Sequence, residues 1–203
     1  MRPVEEILRE GITAGQFGGD SVPHGDHAMG FAAFSDTPET DFTGHVIDIG
    51  SGAGLPALVL ADAFPDTTWT LVERRAGRTD LLRRAVHRLG FADRVEIHSE
   101  DVAVVARSVL RGSADWVTAR SFGPPGDTAE CASPFLRPGG CLLTSEPFDC
   151  RLDSRWPISG LARVDLSLVG EWETPAGRYA RFVRGVLPID DLPRKGSRKK
   201  LLF

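Results

Sequence analysis

The chain has 203 residues, 41% of them hydrophobic and 26% charged, which suits one globular domain with a core large enough for a sheet covered on both faces. No apolar run approaches the ~20 residues of a membrane span, and the opening M-R-P-V-E-E lacks a signal-peptide core, so a cytoplasmic protein is expected. The net charge of −4 conceals an asymmetry, because residues 191–203 hold five basic side chains against one acid and leave the remainder at −8; an acidic body carrying a basic tail is a less natural partner for phosphate than a uniformly basic domain.

Val4, Ile7 and Leu8 on a charged background predict a short amphipathic helix ending near Gly11. Residues 11–44 are rich in Gly, Asp, Thr and Pro and read as loops around one short helix near residues 27–34. His24, Asp26 and His27 are close in sequence, but H-x-D-H with no second cluster is a weak metal signal, and no metal is expected.

The informative stretch is H-V-I-D-I-G-S-G-A-G-L-P, residues 45–56. An apolar run holding one acid, Asp48, breaks into three alternate glycines before a segment that can become helix, a strand–loop–helix pattern. Gly50, Gly52 and Gly54 tolerate positive φ and carry no side chain, so a small anionic or zwitterionic ligand can lie against bare backbone with Ser51 and Leu55 beside it. A dinucleotide loop is spaced G-x-G-x-x-G. Here the third glycine comes one residue early, which favours an adenosyl amino acid over NAD.

Past the loop, residues 55–63 predict a helix and residues 68–72 a strand ending at Glu73, where a carboxylate can accept hydrogen bonds from ribose hydroxyls. Residues 78–89 form an amphipathic helix stopped by Gly90. A third strand (95–97) leads to Glu100 and Asp101, placed for an adenine; then come a helix (102–110), a fourth strand (116–119) ending at Arg120, the end of a helix (131–136) and a fifth strand (140–144). From Val164 the pattern alternates, turns at T-P-A-G and returns over residues 179–186 as a hairpin. Cys131, Cys141 and Cys150 are odd in number and never spaced C-x-x-C, which suggests neither a disulfide framework nor zinc. The expected fold is α/β, a doubly wound, mostly parallel sheet with a C-terminal antiparallel hairpin. Residues 1–44 precede the ligand-binding domain (45–190) and the basic tail (191–203) follows it.

The segments V-I-D-I-G-S-G-A-G-L-P, T-L-V-E-R-R-A-G-R, V-T-A-R-S-F and F-L-R-P-G-G, with the basic P-R-K-G-S-R-K-K, resemble the GidB (glucose-inhibited division protein B) family. That resemblance implies a Rossmann-like class I methyltransferase with strand order 3-2-1-4-5-7-6, S-adenosylmethionine as cofactor and N7 of a small-subunit rRNA guanine as acceptor. It places cofactor contacts on Gly50, Leu55, Glu73, Asp101, Val102 and Arg120, with Arg120 the candidate to orient the base. Three cations that the family presents near its site are replaced here by Asp26, Gly77 and Glu146, so ribosomal RNA is expected to be held through the tail. A diverged enzyme with a small-molecule or protein acceptor, and a catalytically silent cofactor- or RNA-binding module, are the alternatives.

Overall fold

The computed structural model describes residues 3–13, 15, 21–35, 41–194 and 202–203. Helices α1 (Pro3–Thr13) and α2 (Ser21–Met29) precede strand β1 (Gly44–Ile49). The chain then alternates through α3 (Ala57–Ala63), β2 (Thr67–Val72), α4 (Ala76–Leu89), β3 (Val95–His98), α5 (Val102–Val105), β4 (Ala114–Ala119), α6 (Pro125–Ala132) and β5 (Leu136–Glu146). Two short helices, α7 (Leu152–Arg155) and α8 (Ile158–Ala162), lead into the hairpin of β6 (Leu166–Thr174) and β7 (Gly177–Arg184).

The seven strands form one sheet in the order β3-β2-β1-β4-β5-β7-β6, with β7 antiparallel to both of its neighbours. Period-two alternation sends Val46 to one apolar layer and Ile47 and Ile49 to the other. Helices α1 to α4 cover the first face through Val4, Leu8, Leu58 and Leu82; α5 to α8 cover the second through Val105, Ala129, Leu152 and Leu161. Each fully buried Leu or Ile contributes about 1.5–3 kcal/mol, which is why the central strands read as nearly unbroken apolar runs.

Three expected boundaries shift. The first helix passes Gly11 and ends at Thr13, whose hydroxyl donates to the Arg9 carbonyl. The helix expected over residues 102–110 stops at Val105, and turns follow in which the Ser108 hydroxyl accepts from the Leu110 N–H, an alternative to helical pairing that serine readily offers. Strand β5 begins four residues before its apolar core and runs through P-G-G, because Gly140 passes so close to the carbonyls of Ala114 and Arg137 that an added Cβ would sit 2.8 and 3.0 Å from them.

Helix α2 docks on the hairpin. The Tyr179 hydroxyl donates to the His27 carbonyl (2.8 Å) and the Trp172 indole to the Gly30 carbonyl (2.7 Å), while Phe31 packs edge-on and His27 tilted against the Tyr179 ring. A Cβ at Gly30 would overlap the Tyr179 hydroxyl. Gly30→Ala is therefore expected to destabilise the fold by about 1–3 kcal/mol, the usual cost of overpacking, measured as a lower midpoint in urea.

Candidate functional site

At the carboxyl ends of β1, β2 and β3, where doubly wound sheets bind ligands, lies a hollow of about 730 Å³. Gly50, Glu73, Asp101 and Val102 line it, joined by Arg74, Arg75, Arg78, Arg107, Phe122, Asp127 and Arg194. Its size is within the range of small-molecule sites.

The glycine loop is held from below and from the side. Gly50 and Ser51 both donate their N–H groups to the Val72 carbonyl, at 2.9 and 3.1 Å, which fixes the end of β1 against β2. All three glycines have positive φ (68°, 58° and 99°). Gly50 needs its missing side chain, since a Cβ would lie 2.7 Å from the Phe122 ring. At Gly52 the nearest atom to a Cβ is Arg78 Nη1 at 3.6 Å, so the backbone conformation, and not crowding, demands glycine there. Gly54 packs against Leu58 of α3.

Glu73 is the centre of the site. It is 5% exposed; one oxygen accepts from the Gly52 N–H at 3.0 Å and the other from the Arg75 N–H at 2.8 Å, with Arg78 Nη1 3.7 Å away. A carboxylate offers about four acceptor positions, so two remain for hydroxyl donors. Asp101 caps α5 by accepting from the Ala103 N–H at 2.8 Å.

The other residues singled out by sequence lie behind the hollow. Asp48 is buried: its Oδ1 accepts from the Thr118 hydroxyl at 2.6 Å, across the β1–β4 register that pairs the two residues, and its Oδ2 has no partner among the described residues. Burial pushes its carboxyl up to about 7 against the opposing pull of Thr118. Ser51 is also buried and donates to the Asp48 carbonyl at 2.9 Å. Leu55 belongs to the apolar core. Arg120 does not line the hollow; half-buried, it donates to His24 Nδ1 at 2.9 Å, and burial lowers its pKa below the usual guanidinium range. His24 thus faces a guanidinium, while His27, held down to about 4 chiefly by burial, packs against aromatic rings. Among the described residues no group of three metal-binding side chains comes together.

Sequence reading missed most of the basic lining. Arg74 and Arg75 stood in the quoted T-L-V-E-R-R-A-G-R, and their place directly after the strand-ending Glu73 was the signal available. Five arginines accompany four acids around the hollow, so the −8 of the body does not describe this surface. Arg194 is not free tail either. Its main-chain N–H and guanidinium both reach Glu130, a fully buried carboxylate, with Nη2 at 2.7 Å. Lys195, Arg198, Lys199 and Lys200 lie outside the described residues, whereas Leu202 is buried in the core on the α6–α8 side.

Solved structures with the same architecture include an O-methyltransferase family protein from Burkholderia thailandensis (TM-score 0.59, 17% identity, 79% of this chain and 55% of that one). Another is a Corynebacterium glutamicum protein (TM-score 0.60, 15% identity, 92% and 91%). They show the class I methyltransferase fold. Among curated relatives, the small-subunit ribosomal RNA methyltransferase G of Salinispora tropica is 37% identical over 142 residues, 68% of this chain and 58% of the relative. That of Synechococcus sp. (strain CC9902) is 30% identical over 150 residues, 72% and 62%; the chain thus spans about three-fifths of the length of these relatives. The family model for rRNA small subunit methyltransferase G matches residues 29–145, from the end of α2 to the end of β5, a span that holds the glycine loop, Glu73, Asp101 and Arg120. With the fold, the loop and this match in agreement, the chain belongs to the GidB family.

Proposed function

We propose that the protein is an S-adenosylmethionine-dependent methyltransferase acting in the cytoplasm on guanine N7 of small-subunit ribosomal RNA. The observation that carries the reading is Glu73, a buried carboxylate that fastens the glycine loop through Gly52 and still turns toward the hollow with unused acceptor positions. Glu73 would hold the ribose, Asp101 and Val102 the adenine, and the Gly50–Gly52 backbone the amino-acid end. The acceptor positions that Glu73 leaves unused at the hollow fit the hydroxyls of such a ligand. Held by Glu73, Asp101, Val102 and Gly50, the cofactor would supply an electrophilic methyl group for the N7 lone pair. N7 carries no proton, so no general base is needed, and the work of the chain is to position the base in line. Arg120, fixed by His24 at the end of β4, would act from behind the hollow.

Transfer of tritiated methyl from the cofactor into RNA, protein and metabolite fractions tests this directly. Label in small-subunit rRNA is expected. Label confined to metabolites or protein would support the diverged enzyme instead, and cofactor binding without transfer the silent module.

Tail contacts to RNA are expected from four side chains, because Arg194 is engaged by Glu130. Replacing Lys195, Arg198, Lys199 and Lys200 by Gln should reduce the slope of log affinity against log salt by about 2.8, at roughly 0.7 per single-strand phosphate, measured by fluorescence anisotropy. Substitution is the appropriate change, since truncation would also remove Arg194 and the buried Leu202.

A further inference from the structure

A second, smaller hollow of about 280 Å³ abuts the first across the turn Ser121–Phe122–Gly123, whose residues line both. Ser121 takes φ +52°, a conformation uncommon outside glycine and often found where a turn is shaped for function. On the far wall stand Glu146, Arg155 and Trp156.

Glu146, the acid found where the family resemblance leads one to expect lysine, is internally matched. Its side chain is 1% exposed. Oε1 accepts from the Thr144 hydroxyl (2.5 Å) and the Trp156 indole (3.0 Å), and Oε2 accepts from Arg155 Nε (2.6 Å). Such a carboxylate does not confront a ligand; it spends its charge on holding Arg155. The Arg155 side chain keeps 33% exposure, and among the described residues Nε makes its one hydrogen bond, so its terminal nitrogens are available at the hollow. The other titratable group on the lining besides this pair is His27, which burial keeps neutral.

We propose that this hollow receives the methyl acceptor and that Arg155, oriented by Glu146, binds an oxygen of that acceptor, either a base carbonyl or a backbone phosphate. Guanidinium groups are suited to both, through donors in a fixed plane. The assignment rests on the methyltransferase reading above. Arg155 is a substrate-binding residue and Glu146 a positioning residue.

Steady-state methyl transfer into deproteinised small-subunit rRNA, paired with calorimetry of S-adenosylhomocysteine, tests it. Arg155→Met should raise the KM for RNA at least about tenfold, the loss of one charged hydrogen bond, while the affinity for S-adenosylhomocysteine stays unchanged. Arg155→Lys, which keeps the cation but neither the plane of donors nor the Nε held by Glu146, should recover part of the loss, and Glu146→Gln should raise KM more than it lowers kcat. If the oxygen is a phosphate, Arg155→Met also flattens the salt slope by about 0.7; if it is a base carbonyl, the slope is unchanged. Parental KM and kcat in Arg155→Met, with S-adenosylhomocysteine bound normally, would overturn the assignment. A parent that binds S-adenosylhomocysteine but leaves RNA unlabelled would overturn the RNA reading and this assignment with it, and a parent that does not bind S-adenosylhomocysteine would remove the cofactor reading itself.

Discussion

Glu73→Ala is expected to weaken the binding of S-adenosylhomocysteine by roughly a hundredfold or more. Two hydrogen bonds from ribose hydroxyls to a carboxylate are worth about 1.5 kcal/mol each at the low end, and ~3 kcal/mol corresponds to about two decades in Kd. The same substitution removes the acceptor for the Gly52 and Arg75 N–H groups, so the glycine loop loses the clamp that shapes it before the ligand arrives. Glu73→Gln, which retains one acceptor oxygen, should fall between the alanine variant and the parent. Isothermal calorimetry provides the measurement; an unchanged Kd in Glu73→Ala would mean that Glu73 does not hold the ribose.

Asp48→Asn should stabilise the protein at pH 8 and have little effect near pH 4. The Asp48 carboxyl titrates at about 7 in the folded protein against an ordinary 3.8. Between those values the folded state holds a proton that the unfolded chain has released, so stability falls as pH rises through the window and the penalty is constant above about 7. Three pKa units correspond to about 4 kcal/mol at most. Asparagine stays neutral throughout and can still accept from Thr118. The difference in unfolding free energy between variant and parent, followed by urea titration from pH 4 to 8, should grow with pH and then level off. A difference independent of pH would show that Asp48 is ionised across the range.

Much of this protein is legible in its residues because the central strands are buried on both faces and the glycine loop has a spacing of its own. Strands β1, β2 and β4, the helix that ends at Gly90 and the hairpin match expectation, and the strand order is the one that the family resemblance implies. So does the convergence of Gly50, Glu73, Asp101 and Val102 on one hollow. The remainder depends on long-range partners that no local pattern announces. Arg120 sits at the end of β4 as expected, yet its guanidinium goes to His24, 96 residues away in the chain. Glu146 looks like an unfavourable acid until Arg155 and Trp156 close on it; Arg155 ends a helix of only four residues and Trp156 follows it directly, a stretch too brief to leave a periodic signature. Arg194 reads as tail because the buried Glu130 that captures it lies 64 residues earlier.

The docking of α2 has a consequence for how this part of the chain can vary. Tyr179 and Trp172 both address main-chain carbonyls, those of His27 and Gly30, and a carbonyl is the same in every residue. The exposed side chains of Asp26 and Met29 on α2 are thus free to drift without loosening the attachment. The tolerance ends at Gly30, where any Cβ meets the tyrosine hydroxyl. Saturation mutagenesis over residues 24–30 should therefore give a permissive profile at positions 26 and 29 and an intolerant column at residue 30, where the joint follows a path of backbone and leaves no room for a side chain.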